Sequence, residues 1–227
     1  DLAPLVGENR SLVRRGLKAI SEPKRQGLQS LIGVSGLTAR KINTYDIGFV
    51  LGPRLNAAGR LESAMSALQL LLSQDVNEAG ELAQNLEIQN RIRQEKTQVI
   101  QKRAEDLLQA EREQTHLLFA ADPEFNAGLV GLVASRLTEQ YYRPAIVAHT
   151  GSEFTRGSCR SIPEFNITAA LDQCSDLLEH HGGHAAAAGF TVRNENLTSL
   201  IERLKTIAAD QLASTVLQPR LEADMEL

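Results

Sequence analysis

The stretch HLLFAADPEFNAGLVGLVASRLTEQYYRPAIVAHT, residues 116–150, decides the fold class. It opens at 116–121 on a short apolar run of strand length. Residues 129–141 take up helical spacing, and 144–149 return to an apolar run that predicts a second strand. Beyond it the pattern predicts a third strand at 153–161, a helix at 167–178, another strand at 188–192 and a closing helix at 196–212. Strands interleaved with helices imply an α/β domain with a mixed sheet over 115–213. Residues 214–227 read as the start of a following domain or tail, with a strand at 218–227.

Before this domain, residues 75–114 read as one long helix. Asp75 is its expected N-cap, with Glu78 three residues on as in a capping box. Apolar residues recur at Ala79, Leu82, Ala83 and Leu86, and again at Val99, Ile100, Ala104, Leu107 and Leu108. Between the two groups, 87–98 is polar apart from Ile88 and Ile92. A helix sticky at both ends and polar in the middle is expected to be a solvent-crossing connector, about 60 Å long. No heptad is sustained through it, which argues against a coiled coil. Residues 1–74 are expected to be helical with turn-rich interruptions. Helices are predicted at 9–20 and 62–72, and a loop or tight passage at 47–54, where glycines and a proline fall together. The expected class is therefore α/β: a helical N-terminal segment, a long connector helix, then an α/β domain.

Composition narrows the setting. No run approaches the length of a membrane span, and Asp1-Leu2-Ala3-Pro4 lacks the features of a signal peptide. Cys159 and Cys174 are too few for a disulfide framework or zinc cluster and read as reduced thiols of a cytoplasmic protein. The net charge of −4 weighs against a dedicated nucleic-acid binder. Its distribution is uneven, however. Residues 1–60 carry ten Lys/Arg against four Asp/Glu, or +6, and the remaining residues fourteen against twenty-four, or −10. A basic first quarter marks either the side of an anionic ligand or a chance asymmetry of a solvated surface.

Three segments carry candidate chemistry. Gly182-Gly183-His184, followed by Ala187-Ala188-Gly189-Phe190, reads as a thin loop. Its glycines permit close approach of a ligand, and His184 can donate to a phosphate oxygen or act as a general acid. The alternative is a packing histidine in a glycine turn. In Gly157-Ser158-Cys159-Arg160-Ser161, a hydroxyl and a guanidinium two apart on a strand share a face and together can grip a phosphate. In Gly52-Pro53-Arg54-Leu55-Asn56-Ala57-Ala58-Gly59-Arg60, two arginines and an asparagine among small residues suit phosphate contacts, or else form a helix start with exposed arginines. No cluster of metal-binding carboxylates and histidines, Walker loop or nucleophile elbow is present.

Taken together, GPRLNAAGR at 52–60, GLVGLVASRLTE at 128–139, SCRSI at 158–162 and GGHAAAAGF at 182–190 resemble the RecJ family of the DHH phosphoesterase superfamily. The resemblance covers nearly the whole chain. It implies a metal-dependent exonuclease that degrades single-stranded DNA from the 5′ end in recombination and repair. By the resemblance, residues 1–74 are the end of a DHH catalytic domain, 75–114 the connector helix and 115–213 the DHH-associated domain. Mn2+ or Mg2+ is expected, mostly bound outside this chain, with Asp1 falling on the last metal-binding aspartate. Ser158 and Arg160 fall on the family's terminal-phosphate clamp, Arg60 and Arg54 on arginines that help hold that phosphate, and His184 on the histidine that reaches the scissile phosphate. Asn56, Ser161, Gly182 and Gly183 complete the expected DNA-binding set. Single-stranded DNA, a single-strand-binding protein and a recombination helicase are the implied partners, with no membrane. Two departures stand out: Cys159 replaces a common glycine, and Asn126 stands where many relatives have histidine. Other readings are a superfamily phosphodiesterase for oligoribonucleotides or cyclic dinucleotides, and a non-catalytic nucleic-acid-binding relative.

Overall fold

A computed structural model describes residues 3–38, 41–110 and 114–219. The chain divides into two compact units, 1–95 and 96–227.

The first unit is helical: α1 (Gly7–Ile20), α2 (Gln26–Val34), the short α3 (Thr44–Asp46), α4 (Gly52–Leu61), α5 (Met65–Leu72) and the first part of α6 (Val76–Leu108). Its core gathers Leu31, Leu51, Ala58 and Leu70 with Ala79, Ala83 and Leu86 of α6. Helices α2 and α5 meet backbone to backbone. A Cβ at Gly27 would stand 1.7 Å from the Leu70 carbonyl oxygen, so only glycine fits there.

The loop expected at 47–54 is instead helix. Asn43 caps α3 through a reciprocal capping box with Asp46. The chain then passes through a π turn, Ile47–Leu51, directly into α4. The Gly52 N–H reaches back five residues to the Ile47 carbonyl. That wider turn comes just before Pro53, which has no N–H to give and whose ring would crowd a regular α-helical ladder. Glycine and proline thus signal an irregularity inside a helix rather than a break.

Helix α6 has 33 residues, about 50 Å at 1.5 Å per residue. Asp75 caps it as expected, its Oδ1 accepting from the N–H groups of Asn77 (2.9 Å) and Glu78 (2.8 Å). The Glu78 carboxylate is engaged by the Ser73 hydroxyl rather than closing the box on Asp75. The polar middle is not uniformly wet. Asn90 and Thr97 are 3% and 1% exposed, whereas Ile88 is 54% exposed. The buried stripe Ala79, Ala83, Leu86, Asn90, Thr97, Ile100, Ala104, Leu108 keeps helical spacing throughout, with polar residues at its centre. The helix stops at Leu108, short of the expected 114, and residues 111–113 lie outside the described set.

The second unit confirms the α/β reading. Its order is β1 (Leu118–Asp122), α7 (Val130–Tyr141), β2 (Ala145–Thr150), β3 (Phe154–Arg160), α8 (Ile167–Asp172), β4 (Leu178–His184), β5 (Ala187–Arg193) and α9 (Leu197–Leu212). The five strands form one sheet in the order β1-β2-β3-β5-β4. β1 and β2 are parallel and the other pairs antiparallel, so the sheet is mixed. One face is covered by α8 and α9 through Cys159, Phe165, Ile167, Phe190, Val192, Leu200 and Leu204. The other is covered by α7, which lies on β2 and β3. The C-terminal part of α6 is tied to this unit by Arg103 Nε to Asp122 (2.7 Å) and by Arg136 Nη1 to Gln101 Oε1 (3.0 Å).

Two sequence expectations fail here. The helix expected at 167–178 ends at Asp172, and a 3-10 turn, Ser175–Leu177, feeds a strand instead. That strand, β4, contains Gly182-Gly183-His184, so the expected loop is the outer strand of the sheet. The strand expected at 218–227 lies outside the described residues except for its first two, which are not in a strand. Among the described residues no helix is long and apolar enough to cross a membrane.

The glycines give a direct test of the helical unit. Gly27→Ala is expected to cost about 1–3 kcal/mol through overpacking. Gly16→Ala, in α1 where a Cβ meets nothing within 4 Å, should stabilise by about 0.5–1 kcal/mol. Denaturant unfolding of the two variants checks the sign of each.

Candidate phosphate site

Strand register sets the geometry of the second unit. In β3, Cys159 faces the α8–α9 core, so Ser158 and Arg160 face the side of α7. Burial pushes the Cys159 thiol up to about 12, with the Arg160 charge opposing, so this residue stays an inert core thiol. Across the sheet Arg160 pairs with Ala187, which pairs with His184, while Ser158 pairs with Gly189, which pairs with Gly182. Directly opposed residues share a face. One face therefore carries, in sequence, the Ser158/Arg160 pair, a floor of Ala187, Gly189 and Gly182, and then His184. Two strand spacings, about 10 Å, separate Arg160 from His184 along this row.

Arg160 is held in place. Its Nη1 donates to Ser158 Oγ (3.2 Å) and to the Cys159 carbonyl (2.8 Å). Gly131, in the first turn of α7, stands over the pair. A Cβ there would lie 2.9 Å from Ser158 Oγ and 3.3 Å from Arg160 Nη2. Glycine at this point lets the hydroxyl and the guanidinium sit beside the positive end of a 12-residue helix. Asn126 shapes the turn before α7, its Oδ1 accepting from the Gly128 N–H (2.9 Å).

The two glycines of β4 differ. Gly183 has φ +149°, and a Cβ there would lie 2.3 Å from the Ala187 carbonyl oxygen, so the backbone requires glycine. Gly182 has nothing within 4 Å of its absent Cβ. It is dispensable to the fold and leaves the floor bare. The hairpin tip is pinned by Ser161 N–H to Ala186 O (2.9 Å), Ile167 N–H to Ala185 O (3.1 Å) and Thr168 Oγ1 to His184 O (2.8 Å). His184 itself is exposed. His181 is paired with Asp172 at 2.8 Å.

Two other expected site residues, Ser161 and Arg54, make structural contacts of their own. The Ser161 hydroxyl donates to the Phe165 carbonyl (2.7 Å) and builds a turn. Arg54 is committed to helix contacts, its Nε to Glu87 of α6 (2.5 Å) and its Nη1 to the Val50 carbonyl (2.7 Å). On α4, Asn56 is exposed and Arg60 half-buried, four residues apart on one face. These three lie in the helical unit, and Ser158, Arg160, Gly182, Gly183 and His184 in the other. Asp1 lies outside the described residues. Among the described residues no group of three or more His, Cys, Asp or Glu could hold a metal. Gly131 and the Ala187/Gly189 floor were missed in the sequence. The signal for Gly131 was a poor helix former inside the first turn of an otherwise strong helix.

Residues 114–210 match the DHHA1 domain family. The chain is 39% identical to the single-stranded-DNA-specific exonuclease RecJ of Bacillus subtilis over 99% of its length, covering 29% of that protein. It is 35% identical to the RecJ of Escherichia coli over 99% of its length, covering 41%. Its structure is similar to that of RecJ from Thermus thermophilus in complex with Mn2+, with a TM-score of 0.84 at 34% identity over 92% of this chain and 31% of that one. The chain thus spans less than half the length of the curated relatives it matches. Along nearly its whole length the chain is similar to RecJ, and its residues 114–210 match the DHHA1 domain family.

Proposed function

We propose that this chain is the substrate-holding part of a metal-dependent exonuclease that degrades single-stranded DNA from the 5′ end, in recombination and repair. The observation that carries this reading is the sheet face where Ser158 and Arg160, beside Gly131, look across a floor of glycine and alanine to His184. The names of the relatives, single-stranded-DNA-specific exonucleases, supply the substrate class.

Each residue has a defined task in this reading. Arg160 offers a planar donor fork to a terminal phosphate, and its bonds to Ser158 and the Cys159 carbonyl fix the plane before substrate arrives. Ser158 Oγ and the first-turn N–H groups of α7 complete a cradle of donors. The bare floor lets a sugar–phosphate backbone lie close to the sheet. His184, at the far side, donates to a second phosphate or holds the proton for a leaving oxygen. Asn56 and Arg60 give the helical unit its own phosphate contacts, while Arg54 orients α4 against α6. Connecting this unit to the DHHA1 domain is the task of α6.

Solved relatives are complexes with Mn2+ and Mg2+. Such an ion, when bound, activates water for attack on a phosphodiester. The described residues do not fit a metal centre, so the ions are assigned to residues outside that set.

Two binding measurements on this chain test the assignment. Arg160→Ala should weaken binding of a 5′-phosphorylated oligodeoxynucleotide by about 10–100-fold, the worth of a charged hydrogen-bonding pair, while barely changing that of its 5′-hydroxyl counterpart. Arg160→Lys should recover only part of the difference. An unchanged phosphate preference in Arg160→Ala removes the clamp. Gly182→Val should leave stability within about 0.5 kcal/mol yet weaken DNA binding at least about tenfold by filling the floor. Gly183→Ala should instead cost about 1–3 kcal/mol of stability. If Gly182→Val binds DNA like the parent chain, the floor is not part of the site.

A further inference from the structure

Tyr45 and Phe49 are large aromatic residues left in solvent, 63% and 61% exposed, in a chain where only 4% of residues are aromatic. Their rings stack on each other, with centroids 4.8 Å apart and planes inclined by 25°. The pair borders a cavity of about 500 Å³ whose lining includes Leu5, Val13 and Ile47. Ile47 also lines a second cavity, of about 690 Å³, whose charged lining is Arg15, Lys18, Lys24 and Arg25 against Glu22. An apolar slot with exposed ring faces therefore adjoins a groove of net positive charge.

The helical run that carries the rings continues into α4. Tyr45 and Phe49, four residues apart, stack on one side of that run, and Asn56 and Arg60, four apart, share a face of α4 beyond the π turn. Stacked rings beside a groove rich in cations suit an unpaired nucleic-acid strand, whose bases stack and whose phosphates seek cations. A partner protein helix without acidic side chains would use the apolar slot but gain nothing from the cations.

We propose that Tyr45 and Phe49, with the adjoining cavity, form a stacking subsite for one or two unpaired nucleobases of a single strand. The subsite is separate from the clamp at Ser158 and Arg160 and rests on the single-strand reading given above. It would hold the strand by its bases and so be indifferent to the terminal phosphate.

The chain contains no tryptophan, so Tyr45→Trp creates a unique fluorophore at the subsite. An oligothymidylate of about 12 nucleotides, within the usual site size for such proteins, should quench it saturably, with the same midpoint as binding followed by anisotropy of a labelled strand. The double variant Tyr45→Leu/Phe49→Leu should bind oligothymidylate about 5- to 100-fold more weakly. It should bind an abasic deoxyribose-phosphate oligomer of equal length unchanged. Binding without quenching, or a leucine variant that binds oligothymidylate at full strength, overturns the subsite while leaving the single-strand reading intact. Absence of binding to any oligomer overturns both.

Discussion

The β4–β5 hairpin closes because position 183 has no side chain. A Cβ there would sit against the Ala187 carbonyl and Ala188, and the pairing could not form as it does. That pairing fixes the register, and in a sheet a one-residue slip turns every side chain to the opposite face. Held in place, His184 and Gly182 look to the same side as Arg160 and Ser158. Displaced by one residue, His184 would turn toward the α8–α9 core. The proposed chemistry of the domain thus depends on a steric constraint at a residue that need never touch a ligand.

A second constraint acts from the other side of β3. A Cβ at Gly157 would lie 2.3 Å from the Phe190 ring, so this glycine seats Phe190 in the core and holds β5 against β3. Gly131 does the corresponding work above the sheet. Three glycines therefore shape the proposed site through what they omit, while Ser158, Arg160 and His184 are its proposed donors.

The sequence made some of this legible. Period-2 and period-3.6 patterns are local, and they located α7, β2, β3, β5 and α9 with small errors at the ends. The shared face of Ser158 and Arg160, the candidate residues of β3, was legible because they lie two apart on a strand. β4 was not legible. LEHHGGH has no apolar alternation, since an edge strand of glycine and histidine takes its structure from pairing with β5, information that is not local. The GPRLNAAGR segment misled for a different reason. Gly52 and Pro53 signal a loop by composition, yet the π turn before them lets the helix pass. The expected role of Arg54 met competition from Glu87, a residue 33 positions away. The buried Asn90 and Thr97 of α6 read as solvent-facing because polarity was the only local guide.

The central claim is that a terminal phosphate lies on the face shared by Ser158, Arg160 and His184. Heteronuclear NMR of the isotope-labelled chain tests it most directly, by titration with a 5′-phosphorylated single strand and then its 5′-hydroxyl counterpart. The account predicts that the difference between the two titrations is confined to the backbone amides of Gly131, Ser158 and Gly189 and the Arg160 guanidinium Nε–H. Identical shifts for both strands, or a phosphate-dependent shift located elsewhere with these positions silent, would contradict it.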